Sequence, residues 1–499
     1  MTFYITTAID YVNGAPHLGH AYEKITTDVI ARHMRQRDPD VFFLTGTDEH
    51  GEPIADAAQD QGVEPQELAD QNAERFKRLV AKLNISNDFF IRTTDEQHQL
   101  LAQEVLQRVH DNGYTHKGIY EGWYCPRCAD FKVENEILEG NLCPIHEIPL
   151  ERQQEENWFF ELSRFQDRLE RLFDEHRSFV MPLARYNEAR AFIDSGLQDV
   201  SLSRARMHWG VPVPWDPSHV FYVWFDALLN YYTALGYARP GEDLRPRFWP
   251  ATFHIIGKDI LKFHTVFWPA MLMAAELPVP EHVFVHGFLL TDGRKMSKSL
   301  GNVLDPDEVI DALGVDALRY YLVRAVPFGS DGAVGIDDVH TRYETELANE
   351  YGNLVSRTVA MLRRYSDGRV PDADTDPELR NEFDGLVGEV IELIDAAEIT
   401  AALDRIWQRV RRANRYVEER APWQLAKDPG RAGELHRVLA SLAEAVRVLS
   451  VLLSPYIPDG AGKLLAALGS SDLSLAGAEF AGRTLPRDVA ELAPLYPKR

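Results

Sequence analysis

The cysteines of this chain fall within one short segment, and their spacing is that of metal ligands. Cys125 and Cys128 form a pair with two residues between them, Cys143 and His146 form a second such pair, and fourteen residues separate the pairs. Two close pairs joined by a hairpin-length segment are typical of tetrahedral structural zinc, a metal that thiolates favour. Three buried free thiols would not explain the paired spacing. The sequence predicts one structural zinc ion, with His116 as the alternative fourth ligand.

A second group of candidate residues is the segment HLGH, residues 17–20, which follows the first predicted strand. Free backbone N–H groups and the positive end of a helix dipole favour an anion at such a turn. His17 and His20 are three residues apart, so both imidazoles can face one phosphate. Gly19 lets a flat ring approach the backbone. Taken alone, the segment would be interpreted as ordinary polar residues in a first helical turn.

The segment TDGRKMSKSLGN, residues 291–302, carries two lysines that we expect on a loop. Lys295 and Lys298 lie within one turn of each other, and Gly293 and Gly301 permit movement of the loop. Two such lysines can follow a triphosphate as negative charge builds on it. Most basic runs are solvated loops, but HLGH after the first strand together with KMSKS after the last is a specific coincidence. We therefore predict a nucleotide-phosphate site built from both segments.

Hydrophobic patterns predict the elements that position these residues. A β-favouring run at 3–7, a helical pattern that begins at HLGH and an apolar run at 41–44 form a strand–helix–strand unit, which opens a parallel sheet with helices on its faces. A second such unit follows far downstream, with the strands FHIIG and VFVHG around a helix. The sequence predicts an α/β fold whose parallel sheet is interrupted, followed by an all-α helix bundle.

Changes in pattern along the chain predict the domain boundaries. We expect residues 1–114 to form the first half of the catalytic domain and 215–330 the second half, with the KMSKS loop. Between them, residues 115–214 form a connective insertion whose zinc knuckle covers about 121–150. Residues 331–499 are expected to form the helical domain.

The composition is that of an acidic globular protein. Among 499 residues, 53 Lys and Arg stand against 77 Asp and Glu, which gives a net charge of −24. This charge disfavours nonspecific binding to nucleic acid but leaves a local site open. The longest stretch without a charged residue runs from Phe263 to Ala275, shorter than the ~20 apolar residues that span a bilayer. The N-terminus lacks the pattern of a signal peptide, so we expect a cytoplasmic protein without a membrane span.

Six arginines lie between Asp404 and Arg420. Such a stripe on an acidic protein is consistent with a contact face for nucleic acid. A solvated helix in which Asp404, Glu418 and Glu419 pair with the arginines also explains the stripe, and we favour that interpretation.

HLGH and KMSKS resemble the signature motifs of class I aminoacyl-tRNA synthetases, with Leu18 as a conservative departure. Further segments resemble the methionyl-tRNA synthetase family and extend from residue 4 to 427; they are TTAIDYVNGAPHLGHAYEK, FLTGTDEHG, YVWFDALLNY, IGKDILKFHTVFWPAML and APWQLAK. The interval from His20 to Lys295 is too short for the large editing domain of the isoleucyl, valyl and leucyl enzymes. The resemblance implies an interrupted Rossmann-type sheet, a connective insertion and a helical anticodon-binding domain.

The resemblance also implies the reaction. A methionine–tRNA ligase activates L-methionine with ATP to methionyl-adenylate and pyrophosphate, and then transfers methionine to the 3′ end of tRNA(Met). The residues implied to bind ATP, with Mg²⁺, are His17, Gly19, His20, Lys295 and Lys298. Another compact class I synthetase and a nucleotidylyltransferase are alternatives, and a catalytically silent tRNA-binding paralogue would be expected to have lost one of the two motifs. We expect a monomer.

The amino-acid pocket follows from the chemistry of methionine and from the resemblance. An unbranched thioether needs a dry cavity with polarizable walls. An α-ammonium needs a carboxylate, and Asp48 stands at the carboxyl end of the second strand, where sheet ligands bind. Family positions around the side chain are Ile9, Tyr11, Trp224, Ala227, Leu228, Tyr231, Ile260, Phe263, His264 and Trp268. Hydrophobic core is the alternative role for the aromatic residues, and a satisfied core histidine is the alternative for His264.

In the helical region, Asn349, Asn353 and Arg357 recur every four residues and so lie along one helix face. Asparagine is a poor helix former, so its repetition needs a reason. The resemblance implies that these residues read the anticodon and that Trp423 is a platform for an unstacked base. Capping or interhelical hydrogen bonds for the asparagines, and core burial for Trp423, are the alternatives.

Overall fold

The computed structural model describes residues 2–38, 40–127, 130–132, 137–291, 294–295 and 305–498. In the first part of the chain, the strands and α-helices are β1 Phe3–Thr7, β2 Asp10–Tyr11, α1 Leu18–Arg37, β3 Val41–Asp48, α2 Glu52–Gln61, α3 Pro65–Lys82, β4 Phe89–Arg92 and α4 Glu96–Asp111. The next part contains β5 Thr115–Cys125, β6 Asp130–Lys132, β7 Glu151–Phe160, α5 Gln166–Glu175, β8 Val180–Met181, α6 Leu183–Asp194, β9 Val200–Ser201 and β10 Ser203–Arg204.

The third part contains β11 Val220–Phe221, α7 Val223–Ala227, α8 Asn230–Thr233, α9 Arg245–Phe248, β12 Phe253–Gly257, a π-helix Phe263–Phe267, α10 Trp268–Ala274, β13 His282–His286, β14 Leu289–Thr291, β15 Arg294–Lys295, α11 Pro306–Leu313, α12 Val315–Ala325 and β16 Gly332–Ala333. The last part contains α13 Ile336–Arg342, a π-helix Tyr343–Gly352, α14 Asn353–Tyr365, β17 Arg369–Val370, β18 Ala373–Asp374, α15 Pro377–Phe383, α16 Leu386–Asp395, α17 Ile399–Arg420, α18 Pro422–Leu425, α19 Ala432–Leu453, α20 Pro458–Ala467, β19 Arg483–Thr484 and β20 Arg487–Asp488. Short 3₁₀ turns lie at Leu162–Phe165, Ala234–Gly236, Lys258–Ile260, Pro429–Arg431 and Ala476–Ala478.

The main sheet has seven strands in the order β2-β3-β1-β12-β13-β8, with β4 paired to β3. Its pairings are parallel, and β1 lies between β3 and β12, so that Ile5 faces Phe43 on one side and Phe253 on the other. Strands β1, β3 and β12 are buried along their whole length, as expected of a parallel sheet covered on both faces. The interrupted parallel sheet predicted from the sequence is confirmed.

The intervening segment forms a second, antiparallel sheet in the order β6-β5-β7-β9. Its main pair, β5 and β7, is continuous from the pair Thr115–Phe160 to the pair Tyr124–Glu151. Within the same segment, β8 leaves this sheet and pairs with β13 at the edge of the main sheet. The stretch expected to form a separate insertion therefore also supplies one strand of the main sheet. A strand of two residues is too short to be recognised from a sequence pattern.

The last part of the chain is mainly helical, as predicted, and α19 is buried on all sides from Val438 to Leu453. The stretch Tyr343–Gly352, expected as regular α-helix, is a π-helix that continues into α14. The C-terminal strands β19 and β20 pair back onto β18 and β17. Within the described residues, no helix is long and apolar enough to cross a membrane.

Helix α1 connects the catalytic sheet to the helical part. Its buried Asp28 receives a hydrogen bond of 2.7 Å from Arg319, a fully buried residue of α12. Arg319 also donates to the carbonyl oxygens of Pro455 at 2.7 Å and Tyr456 at 3.2 Å. Near the end of α1, Gln36 donates to the carbonyl oxygen of Val451 at 2.8 Å. These contacts fix the helical part against the catalytic sheet.

Candidate active site

The HLGH segment forms the turn that starts α1. His17 is the N-cap residue, and its Nδ1 accepts a hydrogen bond of 3.1 Å from the backbone N–H of Gly19. The backbone N–H of His17 donates to Nδ1 of His20 at 3.0 Å, which completes a reciprocal cap. The two imidazole centroids are 3.8 Å apart. A Cβ atom at Gly19 would lie 2.9 Å from the His17 ring, so the close packing of this ring requires glycine.

The lysine-bearing segment is described only in part. Lys295 belongs to β15, and its backbone pairs antiparallel with Leu290 of β14. Lys295 therefore lies in a strand, whereas the sequence predicted a loop. Lys298 lies outside the described residues. Strand β14 follows β13, the last long strand of the main sheet, so the lysine-bearing segment begins at the carboxyl edge of that sheet. The HLGH turn, which follows β1, lies at the same edge.

A cavity of about 450 Å³ opens at this edge. Predicted residues that line it are Ile9, Tyr11, His17, Gly19, His20, Asp48, Trp224, Ala227, Leu228, Tyr231, Ile260, Phe263 and His264. Trp268 does not line it, because its indole is fully buried beneath the cavity and donates to Nε2 of His254 at 3.2 Å. One wall is a stack of Trp224 on Phe263, with ring centroids 3.8 Å apart. The walls are therefore mainly aromatic and aliphatic.

Asp48 places a carboxylate in this apolar setting. It ends β3, is 8% exposed, and its Oδ1 has no hydrogen-bond partner among the described residues. Burial raises the pKa of Asp48 well above its usual value, and the nearby carboxylates of Asp226 and Glu49 raise it further. Asp226 itself stays ionised, because His50 at 2.6 Å and His98 at 2.8 Å help to hold its pKa at about 2 against burial. A cationic ligand group at Asp48 Oδ1 would relieve both the missing hydrogen bond and the unfavourable charge.

The polar groups at the base of the cavity form a defined chain. Nδ1 of His264 lies 3.1 Å from the carbonyl oxygen of Ile260 and must donate to it, so Nε2 accepts the hydrogen bond of 2.7 Å from the Tyr231 hydroxyl. Burial lowers the pKa of His264 to about 4, which keeps the ring neutral. Tyr4 donates to the carbonyl oxygen of Tyr231 at 2.7 Å. Tyr231 and His264 are thus held in fixed orientations.

Several buried charged residues at the cavity were not predicted from the sequence. Lys24 donates to Asp10 at 2.9 Å, and Glu23 lies 3.0 Å from Nε2 of His286. Burial raises the pKa of Asp10 to about 7 in spite of Lys24, and Asp10 Oδ2 has no hydrogen-bond partner within the described part of the chain. Asp10, Glu23 and His286 line the cavity. The sequence did contain a signal for Asp10, because in the segment TTAID this acidic residue directly follows an apolar strand.

The predicted metal ligands lie close together as far as the structure describes them. The ligand atoms of Cys125, Cys143 and His146 lie within 4.8 Å of one another. Nδ1 of His146 is 3.8 Å from the sulfur of Cys125 and 3.9 Å from that of Cys143, close to the ~3.5 to 3.8 Å between ligands around tetrahedral zinc. Cys128 lies outside the described residues. Two thiols and an imidazole in this arrangement fit a zinc ion.

His116, the alternative fourth ligand, lies at the opposite end of β5 from Cys125. At ~3.3 Å per residue the two are about 30 Å apart. Nδ1 of His116 is instead 3.5 Å from the carboxylate of Glu161. The structure therefore excludes His116 from the metal cluster. His146 and its neighbour Ile145 also line the cavity, so the knuckle borders the active site.

The predicted anticodon residues lie in the helical part of the chain. Asn349, in the π-helix, and Asn353, at the start of α14, are exposed. The Arg357 guanidinium lies 5.4 Å from the ring centroid of Trp423 and donates to Glu418 at 2.6 Å. Trp423 is half-buried, with part of its ring packed against the core. The structure thus exposes both asparagines and brings Arg357 against the ring of Trp423.

The arginines of α17 are mainly paired with acidic side chains or a carbonyl oxygen. The contacts are Arg405 to Glu389, Arg409 to the carbonyl of Glu382, Arg411 to Glu350, Arg412 to Glu382 and Glu419, and Arg420 to Asp376 and Glu378. The solvated-helix interpretation therefore accounts for the stripe, but two of its expected partners were wrong, since Asp404 pairs with Arg324 and Glu418 with Arg357. Only Glu419 pairs within the helix as expected.

An interrupted parallel sheet with a histidine turn after its first strand, a lysine segment after its last long strand and a helical region beyond it defines a class I aminoacyl-tRNA synthetase. The family model described as "tRNA synthetases class I (M)" matches residues 3–149 and 132–359, and that described as "Anticodon binding domain of methionyl tRNA ligase" matches residues 369–485. The chain belongs to the methionyl-tRNA synthetase family.

Individual relatives support the same family. A methionine–tRNA ligase from Caldanaerobacter subterraneus subsp. tengcongensis is 45% identical, over 94% of this chain and 74% of the relative. The methionine–tRNA ligase of Bacillus subtilis is 41% identical over 100% of this chain and 78% of its own length. The structure of Mycobacterium tuberculosis methionyl-tRNA synthetase in complex with methionyl-adenylate superimposes with a TM-score of 0.95 at 42% identity, covering 100% of both chains. The activity of this chain is ligation of methionine to tRNA.

Proposed function

We propose that methionine binds in the 450 Å³ cavity with its α-ammonium on Asp48 and its thioether among Trp224, Phe263 and Tyr231. The observation that carries this proposal is Oδ1 of Asp48, a buried carboxylate oxygen without a hydrogen-bond partner among the described residues. An ammonium group supplies both the donor and the charge that this oxygen needs. The aromatic walls supply polarizable contacts to sulfur worth about 0.3 to 1.5 kcal/mol each.

We further propose that the phosphates of ATP lie between the HLGH turn and the KMSKS segment. The methionine carboxylate attacks the α-phosphorus, the bond to the β-phosphate oxygen breaks, and pyrophosphate departs with the electron pair of that bond. A ribose hydroxyl at the tRNA 3′ end then attacks the carbonyl carbon of the adenylate, and AMP departs. His17, His20, Lys295 and Lys298 stabilise the charge on the phosphates, and Mg²⁺ would neutralise part of it when bound with ATP.

The test is ATP–pyrophosphate exchange measured with each of the twenty amino acids. We expect exchange with methionine and with no other amino acid at comparable concentration. A nucleotidylyltransferase would exchange without any amino acid, and a different compact synthetase would respond to another one. A silent paralogue would show no exchange at all. Each of these three results contradicts the proposal.

We propose one structural zinc, held by Cys125, Cys128, Cys143 and His146. When bound, zinc cross-links the two ends of the knuckle and stabilises its fold. Because Ile145 and His146 border the cavity, loss of the ion should disturb the entrance to the active site as well as the knuckle. Elemental analysis of fresh protein should give one zinc per chain, and Cys125→Ser should release it. Full zinc content in Cys125→Ser would remove that ligand from the proposal.

We propose that Asn349, Asn353 and Arg357 contact anticodon bases and that Trp423 stacks on one of them. The support is the exposure of both asparagines and the position of the Arg357 guanidinium over the Trp423 indole. We also propose a cytoplasmic monomer. Sedimentation that shows a dimer at every concentration would contradict the monomer.

A further inference from the structure

A groove separate from the methionine cavity lies on the other side of the HLGH turn. It has a volume of about 350 Å³ and is bordered by the turn residues Ala15 and Pro16, by α3 and by the start of α11 at Pro306. Pro16 directly precedes His17, and residue 305 follows the segment that contains KMSKS. The groove therefore lies beside both segments that the proposed function assigns to the phosphates of ATP.

Helix α3 is firmly attached to the turn. The side-chain amide of Asn72 donates to the carbonyl oxygen of Val12 at 2.8 Å. The buried ring of Phe76 packs edge-on against His20, with ring centroids 5.1 Å apart. Residues on the neighbouring face of α3 consequently have a fixed position relative to the two histidines.

That neighbouring face is cationic. Arg75, Arg78 and Lys82 are spaced three and four residues apart, so they lie along one side of α3 and all three line the groove. Lys82 is neutralised by Asp307 and Asp311, each at 2.9 Å. Arg75 and Arg78 are exposed, and across the described residues neither makes an ion pair. In a chain of net charge −24, two neighbouring guanidinium groups without carboxylate partners are a marked local exception.

Planar guanidinium groups bind phosphate through paired hydrogen bonds. The groove is large enough for two linked phosphate groups and too small for a nucleic-acid helix. Two carboxylates, of Asp305 and Asp307, also line the groove, so its positive charge is concentrated at Arg75 and Arg78. An anionic product that leaves the active site of an acidic protein is repelled by most of the surface, and these two guanidinium groups beside the site offer it a favourable contact. The ligand chemistry that fits these facts is a short inorganic polyphosphate.

We propose that Arg75 and Arg78 form a binding site for the inorganic pyrophosphate that is released when the adenylate forms. The product moves from the HLGH turn along α3 into the groove, and in the reverse reaction it enters by the same route. This inference rests on the proposed function, which places pyrophosphate release at the turn.

The experiment is methionine-dependent isotope exchange between pyrophosphate and ATP, measured with the full chain over a range of pyrophosphate concentrations. The variant R75A/R78A should raise the KM for pyrophosphate by about 10- to 100-fold, as expected for lost hydrogen bonds to a charged group. The KM for methionine, which binds in a different cavity, should change less than about twofold. Both side chains are exposed on a helix and alanine is a good helix former, so the variant should fold.

The matched control is Lys77→Ala. Lys77 lies between the two arginines in sequence, but its ammonium lies over the ring of Phe90, 5.6 Å from its centroid, and not in the groove. This variant should keep the wild-type KM for pyrophosphate. R75K/R78K, which keeps the charge but not the paired geometry, should give an intermediate value.

An unchanged KM for pyrophosphate in R75A/R78A overturns the inference. So does a raised KM for tRNA with an unchanged KM for pyrophosphate, which would assign the groove to RNA. Absence of methionine-dependent exchange in the wild-type chain is a different result, since it contradicts the proposed function itself.

Discussion

The cavity proposed for methionine and the arginine face of α17 both carry charged residues that the sequence marks as candidates for binding, but their polar groups differ in how far they are hydrogen-bonded. In the cavity, buried polar atoms of Asp10, Tyr11 and Asp48 have no hydrogen-bond partner among the described residues. On α17, exposed arginines such as Arg405 and Arg411 are paired with carboxylates of neighbouring helices. Unmet hydrogen-bonding capacity at buried atoms that line a cavity, more than charge itself, distinguishes the candidate site from these exposed arginines.

The largest effect is expected at the HLGH turn beside the cavity, which we propose stabilises the charge on the phosphates in the transition state. His20→Ala should lower the rate of methionine-dependent pyrophosphate exchange by about 10² to 10³, the range for loss of one preorganised donor. The KM for methionine should change little, because the group acts on the phosphates. His436→Ala, an exposed histidine of α19, is the control and should behave as wild type. A loss of methionine affinity with normal turnover in His20→Ala would contradict this role.

The next effect tests the unpartnered carboxylate. Asp48→Asn should raise the KM for methionine by about 10- to 150-fold, because a hydrogen bond to a charged group contributes about 1.5 to 3 kcal/mol. Since burial raises the pKa of Asp48, protonation as pH falls should weaken methionine binding to the wild type, and binding should recover as pH rises. Asp48→Asn has no such group to titrate and should lose this dependence. Asp60→Asn on the exposed face of α2 should retain the wild-type KM and pH profile.

A third prediction tests the aromatic ring of the helical part. Trp423→Ala should weaken tRNA use by about 1 to 3 kcal/mol, the value of one base stacked on an aromatic ring. Pyrophosphate exchange without tRNA should stay near the wild-type rate, because the ring is remote from the cavity. Trp423→Phe keeps a stacking surface and should restore much of the loss. Equal damage to both activities would show that Trp423 serves the core.

The smallest effect is expected on α17. Arg405 is 53% exposed and lies 3.8 Å from Glu389, and such surface pairs contribute about 0 to 1 kcal/mol. Arg405→Ala should leave the KM for tRNA within about twofold of wild type, measured by aminoacylation. If it weakened tRNA use as much as Trp423→Ala, the distinction drawn here between satisfied and unsatisfied groups would fail.

The sequence predicted those parts of the molecule in which one strong local pattern decides the structure. The first strand, its following helix and the second strand were readable because apolar periodicity and the turn residues before His17 agree. Thirteen of the residues that line the cavity were named in advance, mostly from the resemblance to a known family. Trp268 is fully buried and does not line the cavity, a difference that the sequence could not show, because an indole under a cavity and one facing it have the same sequence signal.

Other features depend on contacts between distant segments. Glu23 and Lys24 lie on the side of α1 that a polar pattern assigns to solvent, but the sheet and its later strands bury them. The pairing of β8 with the main sheet depends on β13, about a hundred residues away. Apart from Glu419, the acidic partners of the α17 arginines lie outside this helix, so they could not be inferred from charges within one segment.

The contacts of α1 also determine where the chain can be cut. Removal of the helical part would take away the carbonyl oxygens of Pro455 and Tyr456 that Arg319 needs, and it would expose the buried Asp28 beneath. Arg319 would keep its hydrogen bonds to Asp28 and to the carbonyl oxygen of Leu83, and water would replace the two carbonyl oxygens that are lost. Exchange of internal hydrogen bonds for bonds to water costs about 0.5 to 1.5 kcal/mol each. A shortened enzyme that only makes methionyl-adenylate should therefore be less stable than the whole chain at this contact.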